Sequence, residues 1–229
     1  MPPIALPERL IGRASRSPVM GPALRVAKRA NRITYRSPWP LLPDRYELAI
    51  LLNHRRLLGR GVEVGVKCGE FSEALLEVWK GRQLISVDPW VQVPPTEYVD
   101  VANVSQDEHD AFYAETLARL ARFGDRSTVW RTTGQRAAEG LSEHSLEFVY
   151  LDARHDRHSV AEDLALWFDK VHPGGVIAGH DYVDGLFPAG VFGVRSAVDE
   201  FFGARQVTVH CTFADPPWLS WFVLVPTGG

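Results

Sequence analysis

From residue 61 onward the chain alternates short runs of apolar residues with longer stretches whose apolar positions recur every three to four residues. The short runs, at 62–66, 84–88, 128–131, 146–151 and 175–178, have the length and β-branched content of strands buried on both faces. Helical spacing between them predicts helices over 70–79, 108–122, a short one after Gln135, 160–170 and 194–202. In the fourth, Ser159-x-x-Glu162 reads as a capping box, and Val160, Leu164, Trp167 and Val171 form an apolar stripe. Two strands, 207–212 and 220–225, then follow directly. Five βα units and two adjacent strands predict an α/β fold: a mostly parallel sheet of about seven strands, covered by helices on both faces and closed by a C-terminal antiparallel hairpin.

Ahead of this domain the pattern differs. Residues 1–43 carry eight of the chain's sixteen prolines, which leaves room only for short helices such as 23–30. Asp44 is a helix N-cap candidate for a segment running to about Leu58, with Leu48, Leu51, Leu52 and Leu58 as its apolar stripe and Gly59 or Gly61 to end it. The expected organisation is therefore an extension over 1–43 and a single domain over 44–229.

Charge sharpens that division. The net charge of −3 conceals a segment 1–45 at +7 and a remainder at −10. A basic arm on an acidic body suits docking onto the chain's own surface or a second copy, and no nucleic-acid partner is expected. No apolar run reaches the roughly 18 to 20 residues of a membrane-spanning helix, and the start lacks a secretory signal pattern. Cys68 and Cys211 are too few for a disulfide framework or a cysteine-built zinc site. A cytoplasmic protein is the expectation.

In open parallel sheets ligands bind beyond the carboxyl ends of the strands, where strand order reverses. The segments that follow strands are 65–72, 88–90, 132–136, 152–158 and 179–184. The first, Glu63-Val-Gly65-Val-Lys-Cys-Gly69-Glu-Phe71-Ser72, turns a strand into a helix through two glycines, without the G-x-G-x-x-G spacing or the Lys-Ser/Thr that phosphate cradles use. Asp88 ends the second strand, where a carboxylate can accept hydrogen bonds from both hydroxyls of a ribose. The two features together point to an adenosine-type ligand.

The glycine loop, Ser-Val-Asp88-Pro-Trp90, Tyr150-Leu-Asp152-Ala-Arg-His155-Asp156 and Pro173-Gly-Gly-Val-Ile-Ala-Gly-His180-Asp181-Tyr182 resemble the class I S-adenosylmethionine-dependent methyltransferases. The branch is the small-molecule O-methyltransferases similar to macrocin O-methyltransferase, with catechol O-methyltransferase more distant. The resemblance spans about 45–225 and implies a Rossmann-like, doubly wound sheet and S-adenosylmethionine as cofactor. It implies that Glu63, Gly65, Gly69 and Ser72 surround the methionine part, that Asp88 holds the ribose, and that Gly134 and Gln135 line the adenine.

The resemblance also implies a divalent metal, Mg²⁺ or another, on Asp152, His180 and Asp181. His180 stands where these relatives carry a carboxylate, and a nitrogen ligand favours Mn²⁺, Fe²⁺ or Zn²⁺. His155 falls at the position of the catalytic base and is expected to take a proton from the acceptor hydroxyl. Trp90 and Tyr182 are candidate walls of the acceptor pocket, 91–110 a lid, and 184–190 a second rim. The expected reaction is O-methylation of a hydroxylated small molecule, a natural product or sugar. A metal-independent O- or N-methyltransferase and a non-catalytic cofactor-binding scaffold are the alternatives.

Overall fold

The computed structural model describes residues 35–94, 96, 98 and 100–227. Residues 42–229 form one contact-dense unit; of the unit before it, 35–41 are described, as a succession of turns. The helix expected over 23–30 lies outside the described residues.

Asp44 caps the first element as expected, its side chain accepting from the N–H groups of Tyr46 and Glu47. A 3₁₀ turn, Arg45–Glu47, leads into α1, Leu48–Arg55, which ends earlier than the leucine spacing suggests. Arg56 adopts a left-handed conformation (φ 60°), so Leu57 is buried while Leu58 is 38% exposed.

The main sheet follows. Its strands are β1 (Arg60–Val64), β2 (Gln83–Asp88), β3 (Ser127–Arg131), β4 (Leu146–Leu151), β5 (Val171–Gly179), β8 (His210–Cys211) and β9 (Trp221–Leu224). Their order is β3-β2-β1-β4-β5-β9-β8, parallel from β3 to β5, with β9 antiparallel between β5 and β8. The crossovers are α2 (Glu70–Val78), α3 (Gln106–Leu120), α4 (Gly134–Glu139), α5 (Arg157–Trp167) and α6 (Val194–Gly203). Order reverses between β1 and β4, so the crevice expected of such sheets opens above those two strands.

Alternation along the strands sorts the side chains. Val62, Val64, Ile85, Val87, Val149 and Leu151 join Val160, Leu164, Trp167, Val198 and Phe202 in one core. On the other face Trp79 meets Phe148 edge-on at 4.9 Å, and Phe71 meets Tyr150 at 4.3 Å. Glu63 points to this second face, a charged group at 2% exposure in the middle of a central strand.

Two elements depart from the sequence pattern. Residues 184–193 form a separate hairpin, β6 (Asp184–Phe187) and β7 (Gly190–Gly193), where only a rim was expected. The capping box of α5 is replaced by Asp156, whose side chain accepts from the Ser159 N–H and hydroxyl, so the helix starts earlier than the Ser159 reading. No helix among the described residues is long and apolar enough to cross a membrane.

Candidate active site

After β1 the backbone passes through Gly65 (φ 88°), Lys67 (φ 53°) and Gly69 (φ 75°) before entering α2. A Cβ on Gly65 would lie 1.9 Å from the carbonyl oxygen of Asp152, so only glycine lets the β1 turn rest on the β4 turn. The left-handed Lys67 is held on both sides. Its N–H donates to Asp88 Oδ2 at 3.1 Å, and its carbonyl accepts from Trp90 Nε1 at 2.8 Å and Thr116 Oγ1 at 3.0 Å.

Asp88 therefore has a task beyond the ribose role expected of it. Oδ2 also accepts from Val66 N–H at 2.9 Å, and Oδ1 accepts from Trp90 N–H at 2.7 Å. Two oxygens offer about four lone-pair directions, so three backbone donors leave capacity for a ligand hydroxyl. Trp90 is fully buried against Tyr113, at 4.9 Å, which makes it loop core and not the expected pocket wall.

Beneath the loop, Ser72 donates its hydroxyl to Glu63 Oε2 and lies 2.7 Å from Ser86 Oγ. Burial drives the Glu63 pKa up to about 8; the Ser72 bond opposes this, and Asp152 and Asp88 add to it. On the other side of the crevice, Gly134 opens α4. A Cβ there would lie 3.2 Å from Val64 Cγ1 and near Trp167 Nε1 and Asp163 Oδ1, so Gly134 leaves space in front of two polar groups of α5. Gln135 is exposed, with its amide on Glu139 Oε1 at 3.2 Å.

Beyond β4 and β5 a compact charged cluster forms. His155 Nε2 lies 3.0 Å from Asp181 Oδ2 and 3.7 Å from Asp152 Oδ1, and its other nitrogen, Nδ1, is 2.8 Å from Asp100 Oδ2. One ligand-type atom from each of Asp152, His155 and Asp181 falls within 4.8 Å of the others. His155 Nε2 is buried, and its close approach to Asp181 lacks hydrogen-bond geometry.

The nitrogen in the cluster is therefore that of His155 and not that of His180. His155 joins the carboxylates, whereas His180 stands beside the cluster with Nδ1 on Asp181 Oδ1 at 2.8 Å and Nε2 buried and unpartnered. Burial alone would lower the His155 pKa. Its bond to Asp100 and the nearness of Asp152 and Asp181 outweigh that and push it up to about 11. Burial raises Asp181, yet His155 and His180 hold it well below the usual carboxylate range. In this state His155 carries its proton at neutral pH and is no free base.

Asp100 was not legible as a site residue. It sits in the loop expected to act as a lid, its side chain 3% exposed, with Oδ1 accepting from the Ala102 N–H at 2.7 Å. The loop is fastened to the hairpin by an Asp100–Gly190 bridge and by Val101 N–H to the Ala189 carbonyl at 2.9 Å. From the same hairpin Phe192 stacks on His155, ring centres 4.6 Å apart and 6° from parallel, with Phe187 and Trp218 beside it. These three rings form one aromatic cluster. Tyr182 turns away and donates to Asp199 of α6. Of the remaining charged groups after β4, Arg154 and the exposed His158 both meet Glu162.

A small cleft borders the cluster, with Asp152, His155, Asp163, His180 and Trp221 among its walls. Asp152 ties the two halves together, its backbone against Gly65 of the glycine loop and its carboxylate in the His155 cluster. The family model described as a methyltransferase domain matches residues 62–182, more than half of the chain and the whole run from β1 to the cluster. The chain belongs to this methyltransferase family.

Solved structures of methyltransferases share its fold. The O-methyltransferase TomG from Streptomyces achromogenes, involved in tomaymycin synthesis and solved with S-adenosylmethionine, is 19% identical, with a TM-score of 0.56 over 79% of this chain and 78% of that one. The O-methyltransferase from Bacillus cereus, solved with S-adenosylhomocysteine, is 15% identical, with a TM-score of 0.51 over 78% and 79%. An uncharacterized protein, y4gI of Sinorhizobium fredii (strain NBRC 101917 / NGR234), is 25% identical over 135 residues, 57% of this methyltransferase but only 13% of that longer protein.

Proposed function

We propose that this methyltransferase moves the methyl group of S-adenosylmethionine to a hydroxyl oxygen of a small molecule, a natural product or sugar, with a divalent cation held by Asp152, His155 and Asp181. The convergence of those three side chains next to the glycine loop carries the reading. The donor set fits a cation: two carboxylate oxygens and a buried imidazole nitrogen with no hydrogen bond of its own. Asp100 on Nδ1 holds the ring so that Nε2 can ligate once its proton is displaced. A divalent cation there supplies Lewis acidity toward an acceptor hydroxyl.

The side chains of the chain itself do the rest. Asp152, at 27% exposure the most open of the cluster, is the carboxylate an acceptor hydroxyl reaches first. The inclined rings of Phe187, Phe192 and Trp218 give the His155 side of the cluster an apolar flank. In the transfer the acceptor oxygen forms a bond to the methyl carbon, the carbon–sulfur bond breaks with its electron pair on sulfur, and the hydroxyl proton passes to the Asp152 carboxylate. Fixing oxygen and methyl in line supplies most of the acceleration.

A second reading omits the cation, and the His155 pKa of about 11 favours it. The imidazolium then provides the positive charge that steadies the developing alkoxide. Transfer of label from methyl-labelled S-adenosylmethionine to a panel of polyphenols and sugars, with Mg²⁺ or Mn²⁺ and with chelator, decides. Turnover that chelator abolishes supports the first reading, turnover it leaves intact supports the second, and no methylated product with any acceptor refutes both.

A further inference from the structure

Arg45 belongs by charge to the basic arm, yet it lies in the folded unit that begins at Leu42. Its backbone N–H donates to Asp215 Oδ2 at 3.0 Å, which fixes where the side chain starts. The guanidinium carbon then lies 5.9 Å from the centre of the Phe71 ring and 5.6 Å from that of Tyr46. Phe71 follows the glycine loop by two residues and packs on Tyr150, whose strand neighbour in register is Glu63. Arg45 therefore borders the crevice on the side of the sheet that carries Glu63 and Ser72.

The guanidinium of Arg45 is partly buried and unpaired. Its Nε is buried without a hydrogen-bond partner, and it forms no ion pair among the described residues. Other arginines around the crevice are engaged: Arg131 with Asp110, Arg154 with Glu162, and Arg119 with Glu73 and Glu115. Burial alone would lower the Arg45 pKa, but Tyr150, Asp152, Tyr46 and Asp215 lie near enough to raise it overall. Arg45 also lines a small cleft together with the hydroxyl-bearing Tyr150, Thr212 and Ser220. A partly buried, permanently charged guanidinium beside hydroxyl groups, with donors to spare, is a ready partner for a carboxylate.

S-Adenosylmethionine brings one carboxylate, on its amino-acid end, next to an ammonium. A site for that end needs a cation and an anion side by side. Arg45 and Asp152 supply this pair where the glycine loop meets β4, while Asp88 stands at the opposite, β2 side of the crevice. We infer that Arg45 binds the carboxylate of the cofactor's amino-acid end and so distinguishes S-adenosylmethionine from adenosine ligands that lack it. The inference rests on S-adenosylmethionine being the cofactor of this crevice.

Calorimetric titration of the full chain and of Arg45→Gln and Arg45→Lys tests it, with S-adenosylhomocysteine, its decarboxylated analogue and methylthioadenosine as ligands. The expected result is a loss of about 10- to 100-fold in S-adenosylhomocysteine affinity for Arg45→Gln, a smaller loss for Arg45→Lys, and unchanged affinity for the two ligands without a carboxylate. Methylthioadenosine binding also reports that the variants are folded. Equal losses for all three ligands, or no loss for S-adenosylhomocysteine with a raised acceptor KM instead, overturn the assignment. Absence of S-adenosylhomocysteine binding to the unaltered chain overturns the cofactor reading itself, a result separable from both.

Discussion

Raising the pH should strengthen divalent cation binding at the Asp152–His155–Asp181 cluster, and the size of the effect follows from the state of His155. Asp100, Asp152 and Asp181 surround an imidazole whose pKa stands at about 11, against an ordinary value of 6.5. A cation that needs Nε2 must displace that proton. At pH 7 the neutral imidazole is about one part in 10⁴, which weakens apparent affinity by about 5 kcal/mol. Affinity should climb about tenfold per pH unit, so about 100-fold between pH 7 and pH 9. The sign for stability is the reverse. A pKa raised on folding contributes stability that is fully present below 6.5 and is lost as pH rises through 11. Titration of Mn²⁺ calorimetrically in two buffers of different ionisation enthalpy gives both affinity and proton release. One proton released near neutral pH is expected; affinity independent of pH with none released would refute the assignment of His155 as a ligand.

Three substitutions probe other parts of the account. Gly65→Ala combines a left-handed φ with a contact to the Asp152 carbonyl and should destabilise the fold by about 3 kcal/mol or more, read as a Tm lower by at least about 6 °C; an unchanged melt would contradict the close approach of the two turns. Asp88→Asn keeps one oxygen for the Val66 and Lys67 amides but sets an NH₂ group against the Trp90 N–H, so it should cost about 1–3 kcal/mol in the ligand-free protein. A variant as stable as the parent, and weaker only in cofactor binding, would reduce Asp88 to a ligand residue. Asp100→Asn should flatten the pH dependence of cation binding and lower kcat with little change in cofactor affinity, whereas loss confined to cofactor affinity would remove Asp100 from the His155 cluster.

The sheet was legible because strands buried on both faces need continuous apolar runs, and Val62, Ile85, Val149 and Ile177 declare themselves that way. The hairpin at 184–193 was not, since Leu186 at 82% exposure and Val191 at 57% face outward with no buried partner face to impose alternation. Local hydrogen bonding misled in one place: Ser159 and Asp156 both suit a cap, and the longer reach of the carboxylate takes it. The segments after the strands were legible as neighbours because topology alone brings strand ends together. Which histidine joins the carboxylates depends on side-chain direction, and Asp100 reaches His155 across 55 residues of chain, so neither is written in local spacing. Arg45 was counted with a charged arm because sequence shows charge but not the burial that separates it from that arm.

The most direct test is a crystal structure of the chain with S-adenosylhomocysteine and Mn²⁺, read by anomalous scattering. The account predicts the nucleoside between Asp88 and Gly134, the sulfur turned toward the Asp152–His155–Asp181 cluster, and an anomalous peak at that cluster. A cofactor whose sulfur points away from the cluster, or Mn²⁺ bound elsewhere with His155 Nε2 uninvolved, would contradict it.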